Sequence, residues 1–411
     1  MDPLLELIRS HTRRPPSRLL IIGRFREEQD EALLGAETTT RWDHLLADGE
    51  PGTELAPFDL AVWRLPSLWD DRLLERARDI LSDQGRLWFV VPEPARRPLV
   101  LAVSRLGFAI LDEHDTGAAG GGIRLVVARR DPFVVRGYRS GDEKAILDLF
   151  TPSFHVTRSP EHWRWKYLDN PWGRAMITIA TAPNDELAAH YAGYPVPFVD
   201  ARGDRRDELI GMQIGDTMTD ARYRARGRGF SSLLGRCFRH HFAAYCEERV
   251  AFNFGFNTGA IRRFNFRFIG GELAELVGYW RRDVKLPAAS RGLLRYRTDR
   301  VEAFDRRFDR LFHQAASFYG VLVRRSAEWL TWRYAQCPDD PPFFTIEARR
   351  VGQLVGYGVF RRRGEQLVWV DALFHPKHLD AAADVLRHAL SVPHAEGTQE
   401  VIAWFSSQPV A

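Results

Sequence analysis

Short apolar runs alternate with a helical pattern through the first third of the chain. Strand-like runs and one helix-like segment follow in the order Leu19–Gly23, Leu60–Trp63, Asp70–Leu81, Leu87–Val91 and Ile123–Arg129. Alternating strands and helices are typical of a doubly wound sheet. The pattern predicts a first α/β domain over residues 1–131.

A strand passes into a helix near the middle of the chain. Alternation over Glu208–Thr219 predicts the strand, and apolar residues then recur at helical spacing: Phe230, Leu233, Leu234, Phe238, Phe242 and Tyr245. The junction carries Gly227 and Gly229. The first amides of a helix lack intrahelical partners and the helix dipole is positive there, so glycines at this place open the backbone to a phosphate.

This junction resembles the acyl-CoA signature of the GNAT N-acyltransferase family, an Arg or Gln followed by two spaced small residues after the fourth strand. Two registers fit. One starts at Arg224 and uses Gly227 and Gly229; the other starts at Arg226 and uses Gly229 and Ser231. We prefer the second, because Phe230, Leu234 and Phe238 then form the buried face of the helix, whereas the first makes Arg228 core-facing. In both registers the amides from Gly227 to Ser231 face the phosphates, and an arginine-rich surface turn is the plain alternative.

The resemblance extends to the next strand and helix. Arg249–Phe256 is similar to the family's fifth strand, and Asn257 falls where many members have an Asn beside the pantetheine arm. The resemblance therefore implies acetyl-CoA, or another acyl-CoA, as cofactor. Phe264 stands where the family usually has a proton-donating Tyr, so water or another side chain such as Tyr279 would have to protonate the thiolate.

The implied reaction is direct attack of an amine on the thioester in a ternary complex. Asp216 is the first candidate for the proton acceptor and Asp220 the second, with ordinary pairing to nearby arginines as the alternative for both. A main-chain N–H near Met218 or Thr219 would polarise the thioester carbonyl. The acceptor is expected to be a small-molecule or peptidic amine. The sequence leaves open which amine it is and how long the acyl chain of the donor is.

One sequence motif, called the phrase below, occurs twice in the chain. Ser159, Glu161, Trp165 and Tyr167 are matched at a constant offset by Ser326, Glu328, Trp332 and Tyr334. A glycine-centred strand follows each copy, at Tyr191–Tyr194 and Leu354–Tyr357, and then a strand bearing Asp216 or Asp371. The first copy also resembles the acceptor side of a GNAT subgroup, whereas aromatic residues at this spacing equally fit core packing.

The repeat predicts a tandem GNAT pair, with domains at 132–286 and 287–411. The second copy has His375–Asp384 in place of the phosphate turn, without glycine, and is expected to be degenerate. Pro287–Arg300 is expected to be a linker. The apolar face that follows predicts a helix docked on the second half: Val301, Phe304, Phe308, Leu311, Phe312 and Ala315.

The first domain has a resemblance of its own. Phe58–Trp63, Leu81–Pro92 and Ile123–Arg129 look like the later strands of class I S-adenosylmethionine methyltransferases, but Gly23–Glu27 lacks their glycine-rich turn. We expect a shrunken, cofactor-free relic. The expected fold class is thus α/β, with a Rossmann or methyltransferase-like domain followed by two GNAT-fold domains, each a mixed β-sheet flanked by helices.

Composition narrows the remaining options. The 411 residues, 45% of them hydrophobic and 27% charged, predict two or three domains without a membrane span. No leader pattern opens the chain, so the cytoplasm is expected. A net charge of +4 gives no global attraction to nucleic acid. The spacing of Cys237, Cys246 and Cys337 predicts neither a disulfide nor a metal site, and homo-oligomerisation is left open.

Three alternatives to an acyltransferase remain at this point. A non-catalytic CoA-binding scaffold or sensor would explain Phe264 and two degenerate domains. A methyltransferase that carries GNAT modules would need S-adenosylmethionine near Gly23. An aminoacyl-tRNA-dependent transferase also pairs two GNAT-like halves, but it does not need the glycines at 227 and 229.

Overall fold

The computed structural model describes residues 18–22, 38–42, 58–64, 71–79, 81–115, 123–202, 206–227, 229–257, 259–284 and 295–405. In these parts of the chain the strands form three six-stranded sheets. The predicted turn at Gly23–Glu27 and most of the predicted linker lie outside the described residues.

The first sheet has the order β2-β1-β3-β4-β6-β5. Its strands are β1 Arg18–Ile22, β2 Thr38–Trp42, β3 Phe58–Arg64, β4 Leu81–Pro92, β5 Phe108–Asp115 and β6 Ile123–Arg130. The first four are parallel, and β6 runs antiparallel to both β4 and β5. Along the chain, helix α1 (Asp71–Asp79) lies between β3 and β4, and helix α2 (Glu93–Arg105) lies between β4 and β5. Two of these strands, β2 and β5, were not predicted from the sequence.

The second sheet has the order β11-β10-β9-β8-β7, and its sixth strand, β14 (Val321–Val323), pairs with β9 outside this order. Its strands are β7 Val134–Gly137, β8 Ile177–Thr181, β9 Leu187–Asp200, β10 Asp207–Thr219 and β11 Phe252–Phe254. Only the β10–β11 pair is parallel. The helices of this unit are α3 Glu143–Phe154, α4 Pro160–Tyr167, α5 Leu233–His241, which continues as a π-helical turn Phe242–Cys246, and α6 Gly259–Phe268.

The third sheet has the order β12-β18-β17-β16-β15-β13. Its strands are β12 Gly278–Asp283, β13 Arg297–Arg300, β15 Phe344–Arg350, β16 Gln353–Arg363, β17 Gln366–Phe374 and β18 Glu400–Phe405. The helices are α7 Arg306–Tyr319, α8 Ala327–Leu330, extended by a π-helical turn Thr331–Ala335, and α9 Ala381–Ser391. As in the second sheet, the last two strands in sequence, β17 and β18, are parallel.

Strands are exchanged across the predicted boundary at residues 286 and 287. β12 precedes that boundary but pairs with β18 in the third sheet. β14 follows it but pairs with the end of β9 in the second sheet. Separating the two halves would therefore break two backbone ladders.

Helix α7 lies in a core that both halves build. Phe308, Leu311, Phe312 and Ala315 are buried as the spacing predicts, but they pack in one cluster with Trp165 and Tyr194 from the first half. The helix begins at Arg306, so Val301 and Phe304 precede it and only border the core. The helix thus docks between the halves rather than on the second half alone.

The first unit packs against helix α5. The guanidinium of Arg236 on α5 is buried; it donates to Asp131 at 2.6 Å and to the carbonyls of Phe133 and Phe108 at 2.7 and 3.2 Å. Ala243, in the π-helical turn after α5, belongs to the core of the first unit. The expected boundary near residue 131 is therefore an anchored junction.

The two copies of the repeated phrase meet at their tryptophans. Trp165 and Trp332 are buried and stacked, with ring centroids 5.1 Å apart. Each indole N–H points to the main-chain carbonyl of the other residue, at 2.8 Å from Trp165 and 3.4 Å from Trp332. The two residues are 167 positions apart, so this reciprocal contact joins distant parts of the chain.

We expect Trp165→Phe to lower the free energy of unfolding by about 1–3 kcal/mol, because it leaves the buried Trp332 carbonyl without its donor. Trp404→Phe is the control, since Trp404 is 48% exposed; we expect it to change stability by less than about 0.5 kcal/mol. Urea unfolding measures both. Equal stability of the two variants would contradict a structural role for the tryptophan pair.

Candidate functional site

Strands β10 and β11 separate part of the way along. Their parallel pairing joins Gly211, Met212 and Gln213 to Phe252–Phe254, whereas β10 continues to Thr219. From Ile214 onwards this edge of β10 has no partner strand among the described residues. Alternate amides along a strand point to opposite edges, so some of them face the opening.

A bulge lies in β10 beside this opening. Asp216 and Thr217 stand between the registered pairs Gly215–Ala192 and Met218–His190. Asp216 has a φ of +52°, which is costly for a residue with a side chain. Burial lowers the pKa of His190 to about 4, and its Nδ1 lies 2.7 Å from the Asp216 carbonyl. The neutral ring donates this hydrogen bond and holds the bulge.

The Asp216 carboxylate is the centre of a buried polar cluster. Its Oδ2 accepts from Lys166 at 2.9 Å, from the Tyr167 hydroxyl at 2.5 Å and from Arg158. Burial alone would raise the pKa of Asp216, but Lys166 and Arg158 hold it far below its ordinary value. The carboxylate therefore stays ionised, and it ties α4 to the bulge.

The second half repeats this cluster. Asp371 on β17 accepts from Arg325 at 2.9 Å and from the Tyr334 hydroxyl at 2.9 Å. Arg325 and Tyr334 hold the same places in the second phrase as Arg158 and Tyr167 in the first. The acid-bearing strands noted in the sequence thus meet their own copy of the phrase in the same way.

The glycine junction forms a tight turn ahead of α5. Short 3₁₀ turns at Ala221–Tyr223 and Gly229–Ser231 flank Gly227, which has a φ of +72°. A Cβ on Gly227 would overlap the Ser231 carbonyl, and one on Gly229 would lie 2.7 Å from the Phe268 ring of α6. The main chain at this turn therefore has no room for side chains at the two glycines.

Helix α5 begins later than the sequence predicts. Its N-cap is Ser232, whose hydroxyl accepts from the Gly235 amide at 3.1 Å. Its fully buried positions include Leu233 and Cys237, not the expected Phe230, Leu234 and Phe238, which are half-buried. The predicted stripe is therefore correct only in part: Leu234 and Phe238 border the core, whereas Leu233 and Cys237 fill it.

Sequence reasoning missed Gly235. A Cβ there would overlap the Gly229 carbonyl, because the first turn of α5 packs directly on the main chain of Gly229 and Phe230. The only signal for this contact was a third glycine eight residues after the first, which the spacing of the signature does not include.

The arginines of the junction lie on its outer side. Arg224 donates to the Thr219 carbonyl at 2.9 Å, and the guanidinium of Arg226 lies 5.1 Å from the Phe133 ring centroid. Both are exposed, and Arg228 lies outside the described residues. The two registers of the signature both remain compatible with this arrangement.

Asp220 is occupied at the end of β10. It caps the first 3₁₀ turn by accepting from the Arg222 amide at 2.8 Å, and it pairs with the Arg222 guanidinium at 2.8 Å. The hydrogen bond from Arg222 lowers the pKa of Asp220 below its ordinary value. The alternative of pairing with a nearby arginine thus describes the contacts of Asp220.

Asn257 lies where the two strands separate. Its side-chain amide is 3.3 Å from the place of a Cβ on Gly255, which is itself 3.1 Å from the Ile214 carbonyl on β10. Phe264 on α6 is half-buried, with its ring 5.6 Å from that of Phe268. Tyr279, the suggested replacement donor, lies on β12 in the third sheet and is 54% exposed.

The corresponding turn of the second half is acidic. Asp380 is the N-cap of α9 and accepts from Tyr296 at 2.6 Å and Arg295 at 2.7 Å. Asp384 adds a second carboxylate in the first turn. Negative charge at a helix N-terminus opposes a phosphate at the same place.

The structure brings together three residues that the cysteine spacing did not connect. Ligand atoms of His162, Cys337 and Asp339 lie within 4.8 Å of one another. The Asp339 carboxylate also pairs with Arg361, and burial lowers the pKa of His162 to about 4. The three side chains come from the two copies of the repeat, so their meeting depends on how the halves pack.

Residues 134–269 match the model of the acetyltransferase (GNAT) domain. This part of the chain is therefore similar to that domain. The match covers the second sheet with its split strands and the glycine turn. No curated protein sequence matches the chain. In the part of the chain that the structure describes, no helix is both long and apolar enough to cross a bilayer.

Several solved structures are similar at low identity. An Enterococcus faecalis protein described as a probable N-acyltransferase has a TM-score of 0.49 and 14% identity, over 67% of this chain and 66% of its own. A GCN5-related N-acetyltransferase from Anabaena variabilis has a TM-score of 0.48 and 14% identity, with the same two shares. N-myristoyltransferase of Saccharomyces cerevisiae with bound myristoyl-CoA has a TM-score of 0.42 and 11% identity, over 66% and 76%. The chain thus covers slightly less than two thirds of the first two.

The tight packing of Gly229 can be tested against a glycine with similar backbone strain. Gly229 and Gly364 have φ values of +55° and +58°, but a Cβ on Gly364 would meet no atom within 4 Å. We expect Gly229→Ala to lower the free energy of unfolding by about 1–3 kcal/mol more than Gly364→Ala, because of the Phe268 contact. Thermal and urea unfolding of both variants measure the difference. Equal losses of stability in the two variants would show that the Phe268 ring moves aside and does not limit the space at Gly229.

Proposed function

We propose that the chain is an acyl-CoA-dependent N-acyltransferase, with acetyl-CoA or another acyl-CoA as donor and a small or peptidic amine as acceptor. One observation carries the proposal: a strand that parts from its neighbour ends in a glycine turn at a helix N-terminus, inside the GNAT domain. A phosphate needs main-chain amides that are not covered by side chains. An extended thioester arm needs an opening beside them.

Each part of the site has a proposed task. The amides from Gly227 to Ser231, with Arg224, Arg226 and Arg228 around them, hold the pyrophosphate. Asn257 contacts the pantetheine arm at the mouth of the split. An amide of Met218 or Thr219 polarises the thioester carbonyl. The amine nitrogen then forms a bond to the acyl carbon while the bond from carbon to sulfur breaks.

The two candidate proton acceptors are both held in ion pairs. Asp216 and Asp220 stay predictions for this task, but both are held as ion-paired anions, and a carboxylate stabilised in this way is a weak base. We infer that Asp216 is foremost a positioning residue, which fixes the bulge and the amides that follow it. Water near the amine would then carry its proton away.

The flanking units are proposed to be degenerate relatives of known folds. The order and directions of the first sheet support a methyltransferase-like unit, because an antiparallel strand is inserted next to the last strand of a parallel set. The matched contacts of Asp371 and the parallel β17–β18 pair support a second GNAT-like half. Asp380 at the N-terminus of α9 supports the loss of CoA binding there.

A CoA-binding protein without turnover is the second candidate. Phe264 favours it, because a phenyl ring cannot protonate the departing thiolate and Tyr279 is in another sheet. The two candidates differ in one measurement. CoA binding with no acyl transfer to any amine in a broad panel would favour the scaffold or sensor. Cytoplasmic location and homo-oligomerisation stay predictions.

Titration of acetyl-CoA into the purified protein tests both candidates at once. We expect micromolar to millimolar affinity. The paired change Gly227→Glu with Gly229→Glu should abolish it, because neither glycine has room for a side chain, so the turn is distorted, and the two carboxylates repel phosphate. Gly364→Glu is the control for an added acid at a strained glycine and should bind as the parent does. Absence of binding in the parent protein would end both proposals.

The positioning role of Asp216 predicts a pH-dependent loss of stability. Asp216→Asn leaves Lys166 and Arg158 buried without their anion, which should cost about 3–5 kcal/mol at neutral pH. The pKa of Asp216 is depressed in the folded state, so its contribution is complete above the unfolded pKa of about 3.9 and is lost as the pH falls further. Urea unfolding at neutral and acid pH should therefore show the gap to the parent closing in acid.

Asp220→Asn is the matched control for this measurement. Its carboxylate pairs with an exposed arginine, and Asn keeps the capping hydrogen bond, so the expected change is below about 1 kcal/mol. A gap for Asp216→Asn that is no larger than this control, or that is independent of pH, would show that the buried cluster does not depend on the charge.

A further inference from the structure

Positive charge exceeds negative charge beside the bulge. Arg158 and Lys166 share the single carboxylate of Asp216, and their side chains are only 15% and 13% exposed. Across the contact between the halves, Asp371 is already paired with Arg325. Burying a charge without a partner is costly, so this surplus needs a compensating anion.

Arg333 adds to the surplus. It holds the place in the second phrase that Lys166 holds in the first, yet Arg325 and Tyr334 take the carboxylate of Asp371. Among the described residues no carboxylate forms an ion pair with Arg333, although Asp371 is near enough to act on it electrostatically. Its guanidinium lies 5.5 Å from the Trp165 ring centroid and 5.2 Å from that of Tyr334, and the residue is half-buried. The guanidinium is thus flanked by two aromatic rings.

Lys166 and Arg333 approach each other because their phrases meet at the tryptophan pair. Burial lowers the pKa of Lys166 most, and the charges of Arg158 and Arg333 add to this effect while Asp216 opposes it. The Lys166 ammonium lies 5.3 Å from the Tyr194 ring centroid, and Arg333 also acts on Tyr194. Lys166, Arg333 and Tyr194 therefore lie near one another where the two halves meet.

This place lies beside the reacting end of the site. The Lys166 ammonium is 3.5 Å from the position of a Cβ on Gly215, the residue before the bulge. Lys166 belongs to α4 and Arg333 to the turn that extends α8, so neither is part of the glycine turn. An anion bound by Lys166 would lie next to the bulge.

We propose that Lys166 and Arg333 bind an anionic group, a carboxylate or a phosphate, on the acceptor, so that the acceptor is an amine carrying an oxyanion. The inference rests on the proposed acyltransferase function and names its substrate class. A guanidinium presents two parallel N–H donors that match the two oxygens of a carboxylate or phosphate, and Lys166 adds a point charge. Arg333 is then a specificity-determining residue that the second half supplies to the site of the first.

Matched pairs of amines test the proposal. Acetyl transfer to glycine and glycinamide, and to phosphoethanolamine and ethanolamine, is compared as kcat/KM corrected for the fraction of neutral amine. We expect the anionic member of at least one pair to be preferred about tenfold or more, and the pair that shows it tells carboxylate from phosphate. Arg333→Met should remove most of this ratio. Arg324→Met is the control, because Arg324 pairs with Glu208 at the surface, and it should keep the ratio.

Several outcomes would overturn the proposal. Equal rates within both pairs, or a ratio that persists in Arg333→Met, would show that Arg333 does not bind an anionic group of the acceptor. Should Arg333→Met fail to fold, Arg333→Gln removes the charge while keeping a long polar side chain, and an unchanged ratio in that variant has the same meaning. A preference for succinyl-CoA over acetyl-CoA with neutral amines would place the anion on the acyl donor instead.

A binding measurement separates this inference from the proposed function. Calorimetry with N-acetylglycine and with inorganic phosphate needs no turnover, and we expect at least one to bind the parent and to bind Arg333→Met about tenfold more weakly. Binding that depends on Arg333 in a protein that does not bind acetyl-CoA would sink the function and keep the anion site. Acyl transfer without any Arg333-dependent binding would keep the function and sink the anion site.

Discussion

The buried carboxylate of Asp216 is the interaction on which the candidate site depends. It stands in a bulge with a positive φ, a conformation that a residue with a side chain adopts only when its surroundings compensate. Lys166, Tyr167 and Arg158 provide that compensation from α4 and its N-terminal flank, while His190 holds the carbonyl of the same residue. One ionised group thus ties α4 to the bulge of β10. The split between β10 and β11 starts next to it.

The second half repeats the anchor without the cofactor turn. Asp371, Arg325 and Tyr334 reproduce the cluster, but the following helix begins with Asp380 where the first half has Ser232. A half that keeps its anchor keeps its shape, and it can serve as a wall for the other half. In our proposal, Arg333 of this second half binds the anionic group of the acceptor. Among the described residues its guanidinium has no ion-pair partner, because Arg325 already pairs with the neighbouring Asp371.

The contact between the halves has the character of a domain core. Trp165 and Trp332 exchange hydrogen bonds in the interior, α7 packs against residues of both halves, and β12 and β14 each join the sheet of the opposite half. Because backbone ladders and buried rings resist sliding, the distance between Lys166 and Arg333 is fixed by the fold and not by loops. A specificity site shared between the halves requires this rigidity.

Much of the local structure could be predicted from the sequence, because strand alternation, helical spacing and the special conformations of glycine are properties of neighbouring residues. The strand at Glu208–Thr219, the turn at Gly227 and Gly229 and the repeated phrase all follow from such short-range patterns. The buried face of α5, the packing of Gly235 and the surroundings of Asp216 did not, since they depend on a 3₁₀ turn and on partners far along the chain. The exchange of β12 and β14 and the meeting of Lys166 with Arg333 were likewise decided by tertiary structure. The physical reason is that sequence spacing reports which face a side chain takes, whereas only packing determines which distant charge or ring it meets there.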